Sequence, residues 1–578
     1  MRTMQPVHIT NSMDSSTFSK TFAGVCALND SEGPRQNVLE PKFQAREQFE
    51  ALSKAIQAAI ACKSADAPIG NDQLAQIECV LVQNYLDTDE YANAETAAVT
   101  AFRYLLHSVN NSVEAPTGID AVVSYRQVTD ESTEFSHVAT YLRVLNCVGI
   151  YLTGRSTAQR FSDSLKVLHL AEAVFEAWRA WKRLPLIAVS PAAWEEHREM
   201  SELFNSTAFY LAQCYGGIGD ISRSSKYCFH TMVVQLVSRK DFAPKEWARN
   251  AVHLSGFFNG SGLFDESRHC MLAAENVMPS DNPDEETAGV VAWGFAKLYK
   301  ARLRWFAERR DVKEHPLPDT LRTAEWWHNF PLPLPPVVQF NPISTFDEAR
   351  DTFKESMKYL NDAAKFYVFD GCCTDFIEIQ KDMSALYGHL MKFEPLLERR
   401  IAMQGRRIDL LKDFPNQLSF NAYGTIVRQL LFDIGDLHAD LVDMRIEQRK
   451  QRSGTPLSDR AFNDLATIAQ SWFERFVVTF HHTETKRLEK IDEENRVAVF
   501  RALMRIARLQ SKRFHKTPKD EYDGIAVVIQ KYEDTMSFAA KNALLEHPEV
   551  SQELQLAREM LTLLPGKQKD IWKTFNRS

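Results

Sequence analysis

The adjacent pair Cys372-Cys373 is the first place in this chain where residue types and spacing could do chemistry. A vicinal pair could be redox-active if one thiol gained thiolate character; free thiols at the start of a helix are the plainer reading. The other cysteines, Cys26, Cys62, Cys79, Cys147, Cys214, Cys228 and Cys270, are scattered and form no CxxC pair. Neither a zinc ribbon nor a dithiol motif is therefore written here. His481-His482 is the densest histidine cluster, but a metal needs more ligands at suitable spacing, and a solvated loop accounts for it. Trp194-Glu195-Glu196-His197 looks like half of a metal-binding helix without the HExxH order. Gly216, Gly217 and Gly219 are dense enough to suggest a phosphate cradle, yet no GxxxxGK[ST] and no GxGxxG after a strand occurs. No GxSxG marks a hydrolase nucleophile either. No catalytic, cofactor-binding or metal-binding residue is expected, and the chain reads as a non-enzyme that works by binding.

The composition fits that reading. A chain of 578 residues is too long for one compact core, so several domains or a repeat array are expected. Glycine and proline, 22 and 23 residues, are about 8% of the chain against roughly 12% on average, which favours helix over turns. The net charge of -8 argues against a general nucleic-acid-binding surface. An odd number of scattered cysteines suits reduced thiols in a cytoplasmic protein. No apolar run approaches the roughly 20 residues of a membrane span, so membrane insertion is not expected. Residues 1–40, rich in Ser, Thr and Asn, read as a disordered tail rather than a targeting segment.

The elements that must position any site come from a repeated unit. Leu81, Tyr85, Tyr91, Ala94, Ala98 and Ala101 have steps of 4, 6, 3, 4 and 3. Leu211, Tyr215, Ile221, Ser224, Cys228 and Thr231 repeat those steps, as do Leu254, Phe258, Phe264, Ser267, Met271 and Ala274. Val148, Leu152, Phe161, Ser164, Leu168 and Ala171 form a further copy with a longer turn. The first two positions share one face of a first helix. Gly219 or Gly262 supplies the reversal. The small residue then sits where the second helix crosses the first most closely. This is the tetratricopeptide (TPR) pattern, in which hairpins bury their apolar faces only by stacking on neighbours. The expected fold is all-α, a TPR-like right-handed α-solenoid in two helical halves.

Residues 41–310 are then the N-terminal repeat region, 311–342 a proline-rich linker or loop, and 343–578 a C-terminal helical region. Pro316, Pro318, Pro331, Pro333, Pro335, Pro336 and Pro342 forbid a continuous helix across the linker. Its PLPLPP stretch has the composition of a polyproline II ligand; a plain surface loop is the alternative. Trp326 and Trp327 are expected to dock this segment onto the body. Later helices are expected over 417–450, 457–480, 484–513, 518–545 and 548–564, with exposed loops over 445–456 and 481–487.

The stretch FNSTAFYLAQCYGGIGDISRSSKYCFHTMVVQL, followed by EWARNAVHLSGFFNGSGLFDESRHCMLAAENV, resembles the KIF-binding protein family. FDEARDTFKESMKYLNDAAKFYVFDGCCTDFIEIQKDMSAL, ERRIAMQGRRIDLL, RIARL, EHPE and REMLTLLP resemble that family's C-terminal region in the same order. The resemblance implies a right-handed helical solenoid that clamps a kinesin motor domain over its microtubule-binding surface and keeps the motor off its track. It implies a cytoplasmic, cytoskeleton-associated protein, with other cytoskeletal or cargo proteins as further partners. By the same resemblance Tyr210, Gln213 and Gln235 face the motor, as do His253 and Gly256, where the family has Thr and Gln. Ordinary packing beside Leu211 is the alternative for Tyr210. The competing function is a general TPR scaffold or co-chaperone adaptor, which needs a cationic clamp. The first-helix surface of Asn205, Thr207, Tyr210 and Gln213 is neutral and offers none.

Overall fold

The computed structural model describes residues 15–31, 33, 38–61, 70–109, 116–124, 137–154, 157–184, 196–238, 242–279, 284–309, 327, 329–336, 339–451, 454–481, 488 and 491–575. Among these the secondary structure is helix, apart from one isolated antiparallel bridge between His481 and Leu488. The chain folds as two compact units. The first is Met1–Phe257 with Leu272–Pro279 and Thr320–Pro336; the second is Phe258–Met271, Ser280–Asp319 and Val337–Ser578.

In the first unit the helices are α1 (Ser15–Asn29), α2 (Glu40–Ala61), α3 (Asn71–Asp87), α4 (Tyr91–Val109), the short α5 (Ile119–Val123), α6 (Val138–Gly154), α7 (Ala158–Trp181), α8 (Arg198–Gly217) and α9 (Ile221–Ser238). α10 (Pro244–Ser261) and α11 (Phe264–Val277) follow, and each has residues assigned to both units. Hairpins form from α3 and α4, α6 and α7, and α8 and α9. The first helices also stack in series, α3 on α6 and α6 on α8. Each hairpin thereby buries a face it could not bury alone.

The crossings confirm the register. Ser164 is fully buried and donates to the Gly149 carbonyl at 3.0 Å. Ser224 donates to the Ala212 carbonyl at 2.8 Å. In both hairpins the acceptor is the residue just after the first core position, Val148 or Leu211. Gly219 and Gly262 take φ of +82° and +78°, the left-handed region open to glycine at the end of a helix.

The disordered-tail expectation fails over Ser15–Asn29, which is helical. Phe18 and Val25 are buried, and Phe22 lies 5.8 Å from the Phe49 ring of α2. Asn29 accepts from buried Asn84 of α3 at 2.8 Å, so packing and a buried amide pair order a stretch whose own helix propensity is low. Residues 1–14 lie outside the described residues.

The second unit contains α12 (Glu285–Glu308), α13 (Phe346–Phe366), α14 (Cys373–Met391), α15 (Leu397–Asp409), α16 (Phe414–Gln417), α17 (Phe420–Gln451), α18 (Asp459–Val478), α19 (Glu493–Ser511), α20 (Pro518–Lys541) and α21 (Ser551–Phe575). α12 therefore belongs with the C-terminal helices, not with the 41–310 region. The reason is its core face: Ala296, Leu303 and Ala307 pack with Leu360 and Ala363 of α13 and Leu386 of α14. Ser356 donates to the Ala296 carbonyl at 2.9 Å, repeating the crossing of the first unit. Phe295, Tyr299, Phe353, Ser356, Leu360 and Ala363 are accordingly another copy of the repeat, with 311–342 inserted in its turn.

Side chains set several helix starts. Thr345 and Glu348 form a reciprocal capping box on α13, and Ser458 and Thr517 cap α18 and α20. Three boundaries differ from expectation. α17 runs on to Gln451, so the loop expected over 445–456 is helical up to that point. α21 passes through Pro565 instead of stopping at 564. Proline removes one ladder bond there, but Leu564 and Ile571 join the core cluster and Gln568 donates to the Tyr522 carbonyl at 3.2 Å. The helix expected from 484 starts only at Glu493, after Leu488 in the bridge and Asp492 at the N-cap; of the loop expected over 481–487, residues 482–487 lie outside the described residues.

Candidate partner-binding surface

Among the described residues, the sequence motifs for chemistry are not brought together. Cys372 and Cys373 are free thiols at the start of α14, and burial raises the Cys373 thiol pKa, which disfavours the thiolate. Glu196 and His197 approach to 3.7 Å, while Trp194, Glu195 and His482 lie outside the described residues. Gly216 and Gly217 close α8, and Gly219 makes its turn. Among the described residues no group of three or more His, Cys, Asp or Glu is placed to hold a metal. No described helix is long and apolar enough to cross a membrane.

One polar constellation has no signature in the local sequence. His169 bonds the Tyr215 hydroxyl at 2.7 Å and Glu172 at 2.9 Å, and the Tyr227 hydroxyl donates to Glu172 at 3.0 Å. Burial first, then Glu172, drives the Tyr227 pKa upward. These groups satisfy one another across α7, α8 and α9, which makes them a polar staple between helices.

Four of the five candidate residues share a placement on first helices of their hairpins. Core positions Phe204, Ala208, Leu211 and Tyr215 turn one face of α8 inward. Gln213 is left exposed and Tyr210 half-buried against the cluster around Leu168 and Leu211. Burial, and secondarily Asp87 at the end of α3, raise the Tyr210 phenol pKa. The packing expected beside Leu211 is therefore present, and part of the Tyr210 surface remains accessible. His253 and Gly256 of α10 are exposed and occupy the same repeat positions: one residue before, and two after, the core leucines Leu211 and Leu254. A Cβ built at Gly256 would meet nothing within 4 Å. Gln235 is exposed near the end of α9, on the second helix of its hairpin.

Two neighbours of these residues change places. Thr207 is not on this surface: it is fully buried and donates to Asn146 of α6 at 2.7 Å, holding first helix to first helix. Phe209 belongs there instead, 46% exposed, with its ring edge-on to Tyr210 at 5.2 Å. The core spacing 204, 208, 211, 215 leaves an aromatic at 209 outside the core, and that was the available signal.

Known proteins share this chain's pattern over most of its length. The family profile described as KIF-1 binding protein C terminal matches residues 336–571. KIF-binding protein of Danio rerio is 24% identical over 546 residues, covering 85% of this chain and 86% of the relative. The Homo sapiens protein of that name is 26% identical over 550 residues, covering 86% and 83%. The chain is similar to the KIF-binding protein family. In Drosophila melanogaster a KIF-binding protein is 26% identical over 490 residues, covering 76% of this chain and 80% of its own length. A solved structure of kinesin binding protein superposes with a TM-score of 0.59 at 22% identity, covering 96% of this chain and 99% of that one. That likeness supports the all-α, solenoid-like fold.

Proposed function

We propose that this chain binds a kinesin motor domain, covers its microtubule-binding surface and thereby restrains microtubule-based transport in the cytoplasm. The observation that carries the reading is collinear similarity, over most of the chain, to relatives named for KIF binding. The surface of Phe209, Tyr210 and Gln213 on α8, with His253 and Gly256 at matching positions on α10 and Gln235 on α9, is assigned to the motor. A half-buried aromatic beside an exposed one suits a protein contact, because a few well-packed aromatic and polar anchors carry most interface energy. The neutral character of these residues favours shape and hydrogen bonding over a cationic peptide clamp.

Microtubule co-sedimentation of purified kinesin motor domains, with and without this protein, tests the proposal. The expected result is that at least one motor from the same cells moves from pellet to supernatant as the protein is added. If every motor stays on the microtubules, the inhibitory reading falls and the general scaffold replaces it.

A further inference from the structure

The proline-rich segment plays no part in the proposed motor contact, yet Pro331–Pro336 has a definite conformation. Phe330 is 3% exposed and packs against Phe229 and Trp247 at 5.1 and 5.0 Å. Trp327 lies on Phe229 at 4.7 Å, as expected of the docking tryptophans; Trp326 is outside the described residues. From that anchor the Leu332 N–H donates to the Phe330 carbonyl at 2.7 Å, and the Leu334 N–H to the Leu332 carbonyl at 2.8 Å. These are consecutive three-residue turns centred on Pro331 and Pro333, whose rings already fix φ where an inverse γ-turn needs it. Both amide donors of the stretch are thus engaged locally. Pro335 and Pro336 follow the last of these turns.

Exposure alternates along the segment. Pro331, Pro333, Pro335 and Pro336 are exposed, whereas Leu332 and Leu334 are half-buried. The leucines therefore face the body and the proline rings face solvent. Each proline ring fixes its own φ, so the outward prolines, Pro335 and Pro336 among them, lose little backbone freedom on binding.

We propose that Pro331–Pro336 is a docking ligand for a WW-type domain. Proline-rich segments dock in aromatic-lined grooves, chiefly of SH3, WW and EVH1 domains, and this sequence discriminates among them. No charged residue occurs from Asn329 to Ile343, so the strap lacks the flanking cation that orients an SH3 ligand against an acidic pocket. The aromatic adjoining the strap that an EVH1 groove would read, Phe330, is buried. What remains is the consecutive pair Pro335-Pro336, and a WW groove clasps such a step between two aromatic rings. This inference stands independently of the kinesin reading.

The test titrates the purified full-length chain into a labelled WW domain that reads a Pro-Pro step, with an SH3 domain in parallel. Saturable binding to the WW domain is expected. Pro335→Ala combined with Pro336→Ala should weaken it at least tenfold and leave the thermal melt unchanged, since both rings are exposed. No saturation where a control Pro-Pro peptide saturates would overturn the proposal. So would binding that survives the double substitution, or SH3 binding in place of WW binding.

Discussion

The Ser224 hydroxyl donates to the carbonyl oxygen of Ala212 at 2.8 Å, in the same register as Ser164 on Gly149. The hydroxyl lies at the helix crossing and bonds a carbonyl of the facing helix. Ser224→Leu should destabilise the first unit by about 1 to 3 kcal/mol through overpacking. Ser224→Ala, which only removes the bond, should cost about 1 kcal/mol. Denaturant unfolding measures both, and a leucine variant as stable as the parent would mean that residue 224 is not at the crossing.

Gly219 and Gly262 share a left-handed backbone but not their surroundings. A Cβ at Gly219 meets nothing within 4 Å, whereas one at Gly262 comes within 2.9 Å of the Trp305 ring. Gly219→Ala should cost only the backbone strain, about 1 kcal/mol. Gly262→Ala adds a clash and should cost clearly more. Equal losses in the two variants would show that Trp305 yields freely.

Gln213 is the cleanest probe of the proposed motor surface. It is exposed, so Gln213→Ala should leave the melt unchanged, while Tyr210→Ala should lower it because that ring packs against Leu211. Joined with Phe209→Ala, Gln213→Ala should weaken motor binding at least tenfold, about 1.4 kcal/mol. Displacement of motors that survives this pair would leave the function standing and move the site elsewhere.

Titration should act with opposite signs in the two units. Burial, then Glu50, pushes Glu78 of α3 from 4.5 to about 7. The folded state holds that proton more tightly than the unfolded one, so the contribution is full below about 4.5 and is lost as pH rises through about 7. In α14, burial and then Lys300, with other nearby cations, pushes His389 from 6.5 down to about 4. Its neutral form is favoured on folding, so that contribution is full above 6.5 and is lost as pH falls through about 4. Stability measured against pH should flatten on the neutral side in Glu78→Gln and on the acid side in His389→Gln. Unchanged slopes in both variants would contradict these assignments.

The legible parts of this chain are those that local spacing controls. The copies at Leu81, Leu211 and Leu254 have short turns and that at Val148 one only three residues longer, so all their positions lie in one reading window. The copy at Phe295 was hidden because 311–342 separates Tyr299 from Phe353, and its register emerges only when Ser356 is seen against Ala296. α1 was illegible for a different reason: Asn29 and Phe22 order it by packing on α3 and α2. At the candidate site, periodicity marks Gln213 as outward, but Thr207 also looked outward. Only the depth of Asn146 opposite it reveals a buried hydrogen bond.

The serine crossings also bear on how the protein opens. A carbonyl that receives both its own helix's amide, one turn on, and a hydroxyl from the neighbouring helix can be released only when the two helices part together. Amide hydrogen exchange should therefore proceed by hairpins, not by single helices. Within α6, α8 and α12 the amides one turn beyond Gly149, Ala212 and Ala296 should be among the last to exchange.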